Sequence, residues 1–262
     1  MSHHHPERIN ALLARAGVAA AGRVSWFGEI DSTNTWLMRQ PEVHARVCLA
    51  EWQSAGRGRR GRSWRAPRSS AVLLSIGWNL GGANAAGLSL VSGLAVVAAL
   101  RRAGIHSVGL KWPNDVMVRS GKMESKLGGV LTELSGTRCV VGVGINVKMP
   151  ASDCAAPGRA DLQSLGYAAD RDQLAADLII AHCRHLQRFC RLGLAPFVDE
   201  WNRLHVHRDR AVSVRLPREL LHGIARGIDR HGALTIDQDG GRRRIISGQA
   251  SVRAREQVSQ TT

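Results

Sequence analysis

The sequence is short of several things. Aromatic side chains make up 4% of the 262 residues, with one tyrosine and three phenylalanines. That is thin provision for stacking bases, which disfavours a platform for single-stranded nucleic acid. The cysteines, Cys48, Cys139, Cys154, Cys183 and Cys190, are odd in number and show no CxxC spacing. This argues against a zinc ribbon and a disulfide framework, and fits free thiols in a reducing compartment. No apolar run approaches the ~20 residues that a membrane helix needs. The best, Leu88 to Leu100, stops at Arg101 and Arg102. The first residues lack the leucine-rich block of a secretory signal, so a cytoplasmic protein with no membrane partner is expected. The His3 to His5 run reads as a solvated tail.

Acidic residues are also scarce, 21 against 36 basic ones, for a formal net charge of +15. Such an excess suits nucleic acid, an anionic surface or a phosphate-bearing ligand, and equally a solvated basic surface. Much of it lies in Arg57 to Arg68 and Arg242 to Arg255.

Against these shortages stands an apolar content of 44%, enough for a real core. The length suits one large domain and one small one. Periodicity predicts a helix over 7–16, with Ile9, Leu12 and Leu13 on one face, and helices over Leu88 to Arg102 and Gln173 to Arg191. Asp31-Ser32-Thr33-Asn34 reads as a capping turn before a helix through Trp36. Apolar runs at Val24 to Ile30, Arg46 to Trp52, Ala71 to Trp78, Gly109 to Trp112, Asp115 to Arg119, Leu127 to Glu133 and Cys139 to Val147 read as strands. Ala151 to Gly158 is a loop of small residues. From Arg210 onward the pattern is short strands split by glycine and aspartate turns, which suggests a small barrel. The boundary is expected near His207, giving an extension over 1–23, a large domain over 24–207 and a small one over 208–258.

The most unusual stretch is Gly56-Arg57-Gly58-Arg59-Arg60-Gly61-Arg62, with four arginines in seven residues. Its G-x-G-x-x-G spacing follows a strand, yet Pro67 comes too soon for the helix that a dinucleotide fingerprint opens. No Walker A pattern occurs. Like charges on a glycine-rich loop repel one another, so the loop is expected to order around an anion, and the planar guanidinium suits phosphate. A solvated loop or a nucleic-acid contact remains the alternative. Lys111-Trp112-Pro113-Asn114-Asp115 sets a polar cluster behind a strand, where Pro113 enforces a bend. In Lys126-Leu127-Gly128-Gly129-Val130-Leu131-Thr132-Glu133, a lysine opens an apolar strand whose glycines let a ligand lie on the backbone. A lysine there can equally be a strand-end solvent residue. Gly142-Val143-Gly144-Ile145-Asn146 repeats the theme.

Taken in order, these motifs resemble those of biotin–protein ligases. Asp31-Ser32-Thr33-Asn34 matches a further family segment, and Arg226-Gly227-Ile228-Asp229 with Gly232-Ala233-Leu234 resembles the family's small C-terminal domain. The resemblance covers about residues 24–255. It implies an α/β (α+β) fold: a mixed-sheet, class II synthetase-like catalytic domain with a small SH3-like β-barrel. It implies that ATP activates biotin as biotinyl-adenylate, with Mg²⁺, and that the biotin then passes to one lysine of a biotin carboxyl carrier protein.

By the same resemblance Ser32, Thr33, Asn34, Gln53, Gly56, Arg57, Gly58, Arg59, Lys126 and Gly129 hold biotin. Arg59, Arg60, Arg62, Trp64, Asn114, Asp115, Lys126, Asn146 and Arg253 meet the nucleotide. Lys126, Asp115 and Arg59 are the implied catalytic groups, with Asp115 also a weak metal-side candidate. Lys122 is a minor competitor of Lys126. Only about twenty residues precede the matching region, so a DNA-binding domain and a DNA partner are not expected. The rivals are a lipoate–protein ligase and a nucleic-acid-binding regulator. A monomer and a homodimer remain equally open. His182 with His185, and His205 with His207, read as partly buried surface pairs, and Trp26, Trp36, Trp52, Trp78 and Trp201 as core. Trp52, beside Gln53, is a candidate floor for the biotin pocket.

Overall fold

The computed structural model describes residues 5–120, 123–150, 158–168, 170–246 and 251–254. His3, His4, Lys122, Cys154, Arg255 and most of the expected 151–158 loop lie outside them.

Two sheets carry the chain. The larger runs β1-β2-β3-β7-β6-β5-β4. It comprises β1 (Val24–Phe27), β2 (Val47–Ala50), β3 (Ala71–Asn79), β4 (Val108–Lys111), β5 (Asp115–Ser120), β6 (Met123–Ser135) and β7 (Arg138–Asn146). β1 and β2 pair in parallel and the other neighbours are antiparallel, so the sheet is mixed. β3 and β7 sit centrally and are almost wholly buried. Burial on both faces explains why they read as continuous apolar runs and not as alternating ones.

The described residues also form the α-helices α1 (Pro6–Arg15), α2 (Thr33–Met38), α3 (Leu88–Arg102), α4 (Arg171–Leu192) and α5 (Val198–Leu204). α3 and α4 pack together, and α1 packs on α4. Their apolar faces and the sheet form one core that includes Leu13, Leu74, Leu94, Leu100, Val141 and Phe189. Ser32 caps α2, its hydroxyl accepting from the Thr35 amide, and Asp170 caps α4 through the Asp172 and Gln173 amides. Each cap satisfies amides that have no partner inside the helix.

The C-terminal part is a five-stranded antiparallel sheet in the order β11-β10-β9-β8-β12. It is built from β8 (Ala211–Arg215), β9 (Leu220–Ile228), β10 (Leu234–Gln238), β11 (Gly241–Ile245) and β12 (Ser251–Ala254). It is a small SH3-like sheet. Among the described residues its end strands do not pair with each other, so the barrel is left open.

The two parts are locked together. Trp112, 1% exposed, donates its indole N–H to the Gly232 carbonyl at 3.1 Å. The Asn202 side chain brackets Ile228 by accepting from its amide and donating to its carbonyl. Glu124 on β6 meets Arg119, His207 and Arg210. The histidine expectation needs correction here. His182, His205 and His207 are 0%, 4% and 2% exposed, so they are core residues and not surface ones. Desolvation lowers the pKa of His182 to about 4, and those of His205 and His207 to about 3.

Candidate active site

A cleft of about 310 Å³ opens where β5, β6 and β7 meet α2, the loop after β2 and the far end of β12. It gathers residues from across the sequence: Ser32, Thr33, Asn34, Gln53, Arg57, Gly58, Arg59, Arg60, Arg62, Trp64, Asn114, Asp115, Lys126, Gly129 and Arg253 all line it. Gly56 and Asn146 do not, and neither does Trp52. The Asn146 amide is spent on the Ala160 carbonyl, and Trp52 lies beneath the Arg68 guanidinium, 5.7 Å from it. The expected pocket-floor role of Trp52 is therefore withdrawn.

One end of the cleft is a network of polar groups, all neutral but Glu133. The Gln53 side-chain carbonyl accepts from the Thr33 amide at 2.8 Å and the Thr33 hydroxyl at 3.0 Å. Fully buried Ser75 donates to the Asn34 side-chain carbonyl at 2.5 Å and lies 2.7 Å from the Thr33 hydroxyl. Asn34 donates to Glu133 at 2.7 Å. Every buried amide oxygen and hydroxyl here is oriented by a neighbour, which fixes the donor and acceptor pattern shown to a ligand. Gly142 on β7 is required for it. A β-carbon there would sit 2.4 Å from the Asn34 side-chain oxygen.

The other end is cationic. The Lys126 ammonium lies 2.5 Å from the Asp115 carboxylate and 5.5 Å above the Trp64 ring. Arg59 reaches the Asn114 side-chain oxygen at 3.5 Å, and Asn114 donates to the Val130 carbonyl at 2.7 Å. Burial, then the neighbouring Arg60, lowers the Arg59 pKa. Lys111 also lines the cleft. Burial lowers its pKa against the pull of Asp115. Gathering so many cations in a half-desolvated place is unfavourable unless an anion joins them. The cleft is therefore suited to a polyanion.

The arginine-rich loop is a short ribbon and not a structureless coil. Arg57 and Ser63 form an antiparallel bridge, Gly58 donates to the Arg62 carbonyl, and Trp64 donates to the Gly56 carbonyl. Arg60 and Gly61 turn the chain at φ 60° and 69°. A β-carbon at Gly56 would lie 2.5 Å from the Trp64 carbonyl oxygen, and one at Gly144 would lie 2.6 Å from the Trp64 ring. Both glycines are thus demanded by close approach. The Trp64 indole nitrogen is buried without a hydrogen-bond partner among the described residues.

No group of three or more His, Cys, Asp or Glu among the described residues is arranged to hold a metal ion. Asp115, the carboxylate at hand, is engaged by Lys126. Such a donor set fits a Mg²⁺ that arrives on a triphosphate, keeping waters and phosphate ligands, and not one caged by protein.

Lys111, Ser75 and Glu133 were given no role in the sequence reading. Lys111 and Glu133 stand inside motifs that had been singled out, so their neighbours were the available signal. Ser75 sits in a plain apolar strand and offered none. The basic run Arg242-Arg243-Arg244 is matched by acids: Asp237, Glu219 and Asp229 respectively. That removes the strongest charge argument for nucleic acid.

Comparison with known proteins agrees with this geometry. The sequence pattern of the Biotin/lipoate A/B protein ligase family matches residues 26–149, and that of the Biotin protein ligase C terminal domain matches residues 207–253. The chain is 39% identical over 264 residues to the bifunctional ligase/repressor BirA of Escherichia coli, covering 96% of this chain and 81% of that one. It is 35% identical to the biotin–[acetyl-CoA-carboxylase] ligase of Mycobacterium tuberculosis, covering 84% of each. Among solved structures it resembles the biotin protein ligase from Aquifex aeolicus in complex with biotin and ATP, at a TM-score of 0.79 and 28% identity, covering 89% of this chain and 99% of that one.

Proposed function

Because the chain belongs to the biotin protein ligase family, we infer that it activates biotin with ATP as biotinyl-5'-AMP and transfers the biotin to one lysine of a biotin carboxyl carrier protein. One observation carries the reading: a pre-oriented polar network and a cluster of cations that includes Lys126 share a single cleft.

The polar end is assigned to the biotin ring system. Thr33, Asn34 and Gln53 offer a fixed set of donors and acceptors, Ser32 shapes the turn that presents them, and Gly129 leaves room beside Lys126. In the first step a biotin carboxylate oxygen bonds to the α-phosphorus of ATP, and the bond to the pyrophosphate oxygen breaks. Both reactants are anions, so cations must line their approach. Lys126 and Arg59 are assigned to that junction, and Arg57, Arg60, Arg62 and Arg253 line the same cleft. Mg²⁺ bound with the triphosphate would supply further positive charge, and Asp115 is the carboxylate assigned to its side of the cleft. Asn114 and Trp64 are assigned to the nucleotide side. Asn146 is assigned there only through its strand, since its amide is already spent.

In the second step the carrier's lysine must attack as a neutral amine, although its ordinary pKa is about 10.4. The new bond joins its nitrogen to the acyl carbon, the bond to the phosphate oxygen breaks, and AMP leaves. Asp115 is the base proposed to take the proton, once Lys126 has turned from it to the phosphate. The ribbon over 56–64 keeps water from the mixed anhydride until the carrier docks.

The described cysteines are free thiols, and burial raises the pKa values of Cys139 and Cys183 to about 12 and about 11. Unreactive thiols suit the reducing cytoplasm in which we place the enzyme. No helix among the described residues is long and apolar enough to cross a membrane. The test is to incubate the protein with ATP, Mg²⁺, labelled biotin and a carrier domain. Label on a single carrier lysine is expected, and an unlabelled carrier would reject the reading.

A further inference from the structure

The arginine ribbon is joined to the polar end of the cleft by one side chain. Glu133, near the end of β6, receives Arg57 through both carboxylate oxygens, at 2.9 and 3.0 Å. The same carboxylate accepts from the Asn34 side chain at 2.7 Å. Glu133 is 76 residues from Arg57 and 99 from Asn34 in sequence, so nothing local dictates the meeting. It is also partly shielded, with its side chain 29% exposed. Both contacts come from one Arg57 nitrogen, Nη2, and as charge-assisted bonds they are stronger than neutral ones.

We propose that Glu133 is the latch of the ribbon, a positioning residue that ties closure of Arg57 over the cleft to the orientation of Asn34. The ribbon has other ties to the cleft, including the attraction of Asp115 for Arg59. Arg59 meets Asn114 at 3.5 Å, and Trp64 rests on Gly144. What sets Glu133 apart is that one carboxylate holds Arg57 and Asn34 at once. If the latch opens, Asn34 loses the shorter of the two contacts its amide nitrogen makes, and keeps the Leu131 carbonyl at 3.4 Å and the Ser75 hydroxyl on its oxygen. Ligand retention and ribbon closure are therefore coupled through one carboxylate. The inference rests on the ligase reading, because what the latch retains is the bound adenylate.

The experiment compares wild type, Glu133→Gln, Arg57→Gln and the double variant, each loaded with biotin and ATP. Release of biotinyl-adenylate is followed by rapid filtration, and stray labelling of lysines on a bystander protein is followed in parallel. Glu133→Gln preserves shape and an acceptor for Asn34 but removes the ion pair. It should release adenylate about fivefold faster, the scale of one half-exposed ion pair, and raise bystander labelling. The double variant should release it no faster than the worse single variant, since either change opens the same latch. Arg57→Gln approaches the pair from the ribbon side and keeps the test available if the Glu133 variant folds poorly. Wild-type retention in both single variants, or multiplied effects in the double, would overturn the latch. Failure of the wild type to form any adenylate would instead remove the ligase reading beneath it.

Discussion

The Lys126 ammonium and the Asp115 carboxylate face each other at 2.5 Å across neighbouring strands. A register shift between Val116 and Met117 makes this possible: Lys126 pairs with Met117, and Asp115 pairs with Gly129. A β-carbon at Gly129 would meet the Lys126 nitrogen at 3.4 Å, so the two positions are within direct contact distance. Each partner neutralises the other, which lets both stand in a partly desolvated cleft. An arriving carboxylate and triphosphate offer the ammonium a denser negative charge. In the proposed reaction the pair would divide into a cation for the first step and a base for the second.

Lys126→Ala should slow formation of biotinyl-adenylate at least ~100-fold, the scale of deleting one preorganised charge donor. Pyrophosphate release measures it directly. Release at the wild-type rate would remove Lys126 from the chemistry.

Asp115→Asn should spare much of the first step and impair the second. Single-turnover transfer from preformed adenylate to a carrier lysine is expected to fall by about 100-fold or more, the scale of losing a general base. Unchanged transfer would mean that the proton goes elsewhere.

Gly142→Ala tests the polar end of the cleft. The added methyl would press on an Asn34 side chain held from both sides by Ser75 and Glu133. Overpacking of this kind costs ~1–3 kcal/mol, so biotin affinity measured by calorimetry should weaken about tenfold or more. An unaltered affinity would show that Asn34 does not hold biotin.

Much of this was legible before the fold was known, but unevenly. Leu88–Arg102 forms its helix over the expected residues, because a strongly apolar run with arginines at its end leaves little choice. β6 extends to 123–135, beyond the expected Leu127 to Glu133, since backbone pairing with β5 and β7 carries it past its apolar centre. The cleft's main lysine, arginines and asparagine could be named because each belongs to a motif. Ser75, Lys111 and the Glu133–Arg57 pair could not be assigned roles. Their meaning comes from strands brought together across long sequence separations, which no local pattern encodes. His182, His205 and His207 are more buried than expected for a related reason: a local pattern does not show that tertiary packing also covers polar residues.

Those buried histidines set an acid limit. His205 and His207 are held neutral in the folded chain, with pKa values lowered to about 3 by burial. In the unfolded chain they would protonate near the ordinary value of about 6.5. Stability is thus fully present above that value and declines as pH falls through the window down to about 3. The thermal midpoint should drop steadily on acidification. Both ring nitrogens of His205 lack hydrogen-bond partners among the described residues, so His205→Leu should flatten the decline without breaking a bond. An unchanged slope in that variant would assign the acid sensitivity to other groups.

Biotin-dependent exchange of labelled pyrophosphate into ATP isolates the first chemical step from every later one. The wild-type protein should catalyse it only when biotin is present, and Lys126→Ala should abolish most of it. Biotin binding without any such exchange, at any Mg²⁺ concentration, would contradict the assignment of the cleft as a site where a carboxylate is joined to a nucleotide.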